Sequence, residues 1–357
     1  MFTSNQIRQA VNDGFITVRK HPKFDLFVYN YTKQTQYDSN WNKLTINCRG
    51  LILDAQANLI ARPMSKFFNL DEITKYRNHV HDWYGLKFST MFDSPYKIWD
   101  KMDGSLGILY KFDGQYGIAS RGSFDSEMAH RATKILHEKY SHVKFDDEYT
   151  YLFEIIYPEN RIVINYNCME DIVLLAKIHK ETGREANILD ETDFIHPKLY
   201  DNHDLDSLAM LAEENKEGFV IHFDNGLRVK YKFDEYKRLH KIMTGVTERD
   251  IWWRLRNKES LSDLIDKVPD EYYDWIRAVE SKLKGKYGAI KNHVMEIYTK
   301  MVKDSRPIIK KDVALKYKDY EYKSILFAII DGKEYEETIW RMVRPEANKK
   351  YELKDEE

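Results

Sequence analysis

The chain has 357 residues, 43% hydrophobic and 14% aromatic, which is enough for a packed core and a length suited to two domains. Its net charge of −2 gives no overall attraction for nucleic acid, so such a surface has to be a local basic patch. No apolar run reaches the length of a membrane span, the start Met1 to Gln6 has no signal-peptide pattern, and Cys48 and Cys168 alone make neither a zinc site nor a disulfide framework. A soluble, cytoplasmic, globular protein is expected, with one low-complexity stretch at the acidic end Glu352 to Glu357.

From about Asn47 to Lys232 the pattern predicts short strands. Leu51 to Leu53 and Leu59 to Ala61 flank a turn, and Leu106 to Phe112 and Tyr116 to Ser120 flank Asp113-Gly114, a hairpin signal. Tyr149 to Tyr157, Arg161 to Ile164 and Ile172 to Ile178 read as strands rich in β-branched and aromatic residues. Phe219 to Phe223 and Leu227 to Lys232 flank Asp224-Asn225-Gly226, a second hairpin. Helices are predicted over Ser126 to Tyr140 and Leu205 to Glu214.

After about Met243 the character changes. Ile276, Val279, Leu283, Tyr287, Ile290, Val294, Ile297 and Met301 form one helical face within Asp270 to Lys303. Further helices fit Asp312 to Tyr317, Glu321 to Ile330 and Glu334 to Val343. The expected organisation is a mixed domain over residues 1–243 and a helical domain over 244–357.

Lys101-Met102-Asp103-Gly104 fits two readings. One is a solvated turn between strands. The other is the nucleophile motif of covalent nucleotidyltransferases, in which a lysine amine attacks the α-phosphate of a nucleotide. A protonated lysine is a poor nucleophile, so such a site has to supply desolvation or nearby cations. The neighbouring words favour the second reading. Cys48-Arg49-Gly50, Arg62-Pro63-Met64-Ser65-Lys66-Phe67-Phe68-Asn69, Ser120-Arg121-Gly122-Ser123, Phe153-Glu154-Ile155, Glu217-Gly218-Phe219-Val220 and Val229-Lys230-Tyr231-Lys232 follow in the order of the nucleotidyltransferase motifs of ligases and capping enzymes. Lys230 and Lys232, two apart on a strand, share one face.

Together with Tyr29-Asn30-Tyr31, Ser105-Leu106 and Asn160-Arg161-Ile162-Val163, these words resemble the type 1 ATP-dependent RNA ligases of T-even phages and their relatives, over residues 27 to 240. The resemblance implies an α+β fold: an adenylyltransferase domain with antiparallel sheets and helices, then an all-α domain that selects RNA. It implies joining of 5′-phosphate and 3′-hydroxyl ends of single-stranded RNA, cleaved tRNA among the substrates, by a monomer in the host cytoplasm. The cofactors implied are ATP, which leaves AMP on Lys101, and Mg²⁺, with Mn²⁺ as a substitute.

The resemblance makes Lys101 the nucleophile and Tyr29, Arg49, Lys66, Glu154, Lys230 and Lys232 nucleotide contacts. Glu217 becomes a metal ligand, with Asp263 as the nearest second candidate and Ser262 the alternative. Tyr236 matches a tyrosine important to activity. Arg121 stands where the family's best-known member has lysine, a change that keeps charge but not phosphate geometry. Leu175 and Val220 suit the apolar walls of an adenine pocket. A DNA ligase or mRNA-capping enzyme is the alternative within the same chemistry, and a non-catalytic RNA-end or nucleotide binder the alternative outside it.

Overall fold

The computed structural model describes residues 2–200, 203–237, 245–265, 273–303 and 308–345. The acidic end Glu352 to Glu357 lies outside them. The chain divides into two compact units, Met1–Met243 and Thr244–Glu357. Among the described residues no helix is long and apolar enough to cross a membrane.

The described residues of the first unit form three sheets. The first is an antiparallel meander of β1 (Ile16–Lys20), β2 (Leu26–Tyr31), β3 (Arg49–Asp54) and β4 (Leu59–Ala61). The next strands in the chain are β5 (Phe68–Asn69), β6 (Tyr96–Asp100), β7 (Ser105–Phe112), β8 (Gln115–Ser120) and β9 (Tyr149–Ile156). They are followed by β10 (Asp171–His179), β11 (Glu185–Ala186), β12 (Leu199–Tyr200), β13 (Gly218–Phe223) and β14 (Arg228–Lys232). The second sheet runs β11-β10-β9-β7-β8 and the third β12-β6-β13-β14-β5. Among the described residues, every pairing between these strands is antiparallel except β14 with β5.

Local chemistry explains these elements. Asp113 and Gly114 both have positive φ, 50° and 74°, as a two-residue hairpin turn requires. The helix Glu127–Lys139 starts where the Ser126 side chain accepts from the Ala129 amide, with Glu127 in its first turn and His137 and Lys139 in its last. Its buried Ala132, Ile135 and Leu136 join Tyr151, Phe153 and Ile155 of β9 in one core cluster. Two expectations need correction. Arg161 to Ile164 is not a strand, because the Val163 and Ile164 amides bond the carboxylate of Asp103 instead of a neighbouring strand. Leu205 to Glu214 is not an α-helix but a 3₁₀ stretch, Leu205–Leu211.

In the second unit every described element is a helix: Glu248–Arg256, Ser262–Ile265, Tyr273–Lys303, Lys310–Lys316, Lys323–Ile330 and Glu336–Met342. The long helix buries Ile276, Val279, Leu283 and Val294 along the face read from spacing. Val294 packs with Val313, Ile325, Leu326 and Ile339, and Tyr287 stacks on Trp340 at 4.6 Å.

Gly218 opens β13 with φ +143°, and a Cβ there would sit 2.0 Å from the Tyr231 carbonyl oxygen. Gly218→Ala should therefore destabilise by more than the roughly 1–3 kcal/mol of a strained backbone conformation. Gly285→Ala, in open space on the long helix, should be neutral or stabilising by roughly 0.5–1 kcal/mol. Urea denaturation of both variants checks the contrast.

Candidate active site

The pairing of β6 with β13 in the third sheet sets the site. Strand β6 ends at Asp100, and the Lys101 amide still donates to the Gly218 carbonyl at 2.8 Å. The nucleophile candidate thus leaves the sheet while tied to the start of β13. The register aligns Lys97 with His222 and Arg228, then Trp99 with Val220 and Lys230. Lys232 follows opposite Gly218. Alternation puts these side chains on one face.

The turn after Lys101 is not a solvated one. Asp103 is 4% exposed. Its Oδ2 accepts from the Val163 amide at 2.8 Å and the Ile164 amide at 2.9 Å, and its Oδ1 accepts from the Tyr236 hydroxyl at 2.8 Å. The Asp103 amide donates to Tyr166 Oη at 2.8 Å. Next, the Gly104 amide donates to Glu154 Oε1 at 2.9 Å, an approach so close that a Cβ on Gly104 would lie 2.6 Å from the Ile155 carbonyl oxygen. Asn160 donates to Ser105 Oγ and the Ile155 carbonyl, both at 3.1 Å.

Charges gather around Lys101. Its Nζ lies 2.8 Å from Glu217 Oε2, and Lys232 Nζ lies 2.9 Å from Glu217 Oε1. Glu217 is 2% exposed and Lys232 8%, whereas Lys101 is 20% exposed. Lys101 therefore fronts a cleft of about 800 Å³, a size suited to a small-molecule ligand. Arg49, Glu154, Arg121, Leu175 and Val220 also line it. Burial pushes the Glu154 carboxyl up to about 7, Lys101 opposing and Glu217 adding to the rise. Burial lowers the Arg49 guanidinium, which lies over the Phe67 ring at 5.2 Å and leaves Nη1 without a hydrogen-bond partner. Arg121 lies over the Tyr31 ring at 5.5 Å.

Other expected contacts stand apart from the cleft lining. Lys66 is buried, its ammonium over the rings of Trp41 at 5.6 Å and Phe68 at 5.2 Å. Tyr29 packs on the core, while its neighbour Asn30, past a bulge, faces the cleft. Lys230 is buried on β14 in the row of Trp99 and Val220. Tyr236 serves Asp103, with Lys232 over its ring at 5.1 Å. The side chain of Asp263 lies outside the described residues. Sequence reasoning missed the work of Asp103, Tyr166 and Asn160. The only signal was the Asn160-Arg161-Ile162-Val163 word, whose backbone turns out to face Asp103.

One family comparison matches more than half of the chain. The RNA ligase family model of T4 RNA ligase 1 type covers residues 47–237. A protein of Autographa californica nuclear polyhedrosis virus, named a bifunctional polynucleotide kinase/RNA ligase, is 27% identical over 63% of this chain. The chain spans 35% of that protein's length. An RNA ligase of Rhodothermus phage RM378 is 24% identical over 87% of this chain and 86% of its own. A solved ATP-dependent DNA ligase from Aquifex aeolicus shares 15% identity over 81% of this chain and 75% of its own, with a TM-score of 0.47.

Two outcomes follow from the geometry. Asp103→Ala strands two buried amides and the Tyr236 hydroxyl at roughly 1–3 kcal/mol each, whereas Tyr236→Phe removes the hydroxyl's bond to Asp103 and leaves the two amides paired. Denaturation midpoints should fall far more for the first. Glu154 has a folded-state pKa raised above its ordinary 4.5, so it binds a proton in the folded state that the unfolded chain has lost. Its contribution to stability is fully present below about 4.5 and declines as pH rises to about 7. Glu154→Gln should flatten that part of a melting-temperature profile against pH.

Proposed function

The chain belongs to the T4-type RNA ligase family, and from that premise we propose that it is an ATP-dependent ligase joining 5′-phosphate and 3′-hydroxyl ends of RNA through a Lys101–AMP intermediate. The observation that carries this reading is Lys101 at the mouth of the cleft, held between an anchored Asp103-Gly104 turn and the buried Glu217–Lys232 pair.

In the first step the Lys101 amine attacks the α-phosphorus of ATP. A nitrogen–phosphorus bond forms and diphosphate leaves. The ammonium proton has to go first, and Glu217, at 2.8 Å, is placed to accept it. In the second step an oxygen of the RNA 5′-phosphate displaces Lys101 from that phosphorus. In the third the 3′-hydroxyl attacks the RNA 5′-phosphate, and AMP leaves. Each step is displacement at phosphorus, so the protein's part is positioning and charge stabilisation. Arg49, with a nitrogen left unpaired, and Lys230 and Lys232 on β14 are the cations for the phosphates. Glu154 is the acceptor for the ribose hydroxyls.

No group of three or more metal-ligating side chains occurs among the described residues. Mg²⁺ commonly takes one or two carboxylates plus phosphate oxygens and water, so Glu217 alone suffices on the protein side. A cation bound there, Mg²⁺ or Mn²⁺, would supply neutralisation of phosphate charge. The helical unit supplies none of the cleft-lining residues and is assigned to RNA selection, cleaved tRNA included. Lys282, Lys284, Lys286 and Lys291 make a local basic cluster on its long helix, but three of them are paired, Lys282 with Glu248, Lys284 with Glu280 and Lys291 with Glu336. That assignment therefore rests on the family.

Purified protein with α-labelled ATP and Mg²⁺ should form a covalent adduct. Lys101→Ala should form none, and Lys230→Ala should slow it roughly 10²–10³-fold. Labelled Lys101→Ala protein would remove the nucleophile assignment.

A further inference from the structure

The steps above use one end of the cleft. The other end holds a charge cluster with no part in them. Arg228 donates from Nη1 to Glu185 Oε1 and from Nη2 to Glu185 Oε2, both at 2.7 Å. His222 Nδ1 lies 3.7 Å from Glu185 Oε2. All three side chains line the cleft and are partly open to it. Such a fork-to-fork pair fixes the carboxylate in one orientation. Burial opposes ionisation of Glu185, but Arg228, by its charge and its hydrogen bonds, outweighs it and holds the carboxyl below its ordinary value. Burial, then Arg228, pushes His222 down to about 4, so its ring is neutral near pH 7. The cluster therefore presents an ionised acceptor.

Register gives the distance. Lys97, aligned with His222 and Arg228, is four residues before Lys101 on the same strand line, roughly 13 Å away. Between them lies the row of Trp99 and Val220, both lining the cleft. A nucleotide with its α-phosphate at Lys101 and its base along that row would turn the far edge of the base toward Glu185.

Resting on the nucleotide reading above, we propose that Glu185, clamped by Arg228, reads the base: its carboxylate accepts a hydrogen bond from the exocyclic amino group of a 6-aminopurine and disfavours a 6-oxopurine. An ionised carboxylate is acceptor only, and its two oxygens keep lone pairs beyond those given to Arg228. A 6-oxo group sets acceptor against acceptor in a desolvated place, the arrangement that discriminates most strongly. An amino group completes the set.

The test measures rates of covalent adduct formation at subsaturating nucleotide with ATP, GTP and purine riboside triphosphate, which lacks the amino group. The wild-type protein should prefer ATP over each of the others by about tenfold or more. Glu185→Gln offers an amide donor to a 6-oxo group, so the ATP-to-GTP ratio should fall about tenfold or more. The double variant Glu185→Met with Arg228→Met removes both charges together and strands neither. It should bring the ratio of ATP to purine riboside triphosphate close to one. A merely structural Glu185 would slow all three nucleotides alike and leave the ratios unchanged, which overturns the inference. Equal wild-type rates with ATP and purine riboside triphosphate overturn it without any variant. Wild-type protein that forms no adduct with any triphosphate instead removes the nucleotide reading on which the inference stands.

Discussion

The Asp103 carboxylate is the constraint on which the first unit's site depends. It gathers donors from two separate stretches of chain, the Val163–Ile164 backbone and the Tyr236 hydroxyl. Buried backbone amides need partners, and here the partner is a side chain rather than a strand. That choice stops residues 161–164 from joining a sheet and fixes the turn that follows Lys101. The Gly104 amide is then free to bond Glu154, which brings the second sheet's carboxylate to the same turn. One buried anion thus aligns the nucleophile candidate with the opposite wall of its cleft.

Charge is balanced by a similar economy of groups. Glu217 lies between two ammoniums and is almost wholly buried. A buried carboxylate without partners would be costly, as would two buried lysines without it. Lys101 is the most exposed of the three, so it can change partners while Lys232 keeps Glu217 satisfied. Gly218 makes this arrangement possible. It lets β13 run close enough to β14 for Glu217, one residue earlier, to reach both lysines.

Much of this was legible in the sequence, and the boundary of legibility is physical. Hairpins with strong turn residues, such as Asp113-Gly114, and helices with clear periodicity, such as Tyr273–Lys303, announce themselves locally. The charged words around Lys101 could be collected because each is short and internally recognisable, and the fold sets Lys101, Glu217 and Lys232 within ion-pair distance. What could not be read is what depends on distant partners. Val163 and Ile164 have strand-like side chains, and only the fold shows that their amides are engaged by a residue 60 positions earlier. Lys66, expected as a nucleotide contact, is buried with its ammonium over the rings of Trp41 and Phe68. Glu185 and Arg228 belong to no recognisable word and meet across 43 residues.

The near burial of the Glu217 centre has a consequence for ionic strength. Salt screens exposed charges within about 8–10 Å but reaches enclosed pairs poorly. The Glu217–Lys232 pair is therefore screened little by the bulk electrolyte. Encounter with a polyanion is the opposite case, because phosphate contacts release counterions and weaken steeply as salt rises. On the proposed function, raising salt would weaken the RNA encounter more than formation of the Lys101 adduct, so the adenylylated protein would accumulate.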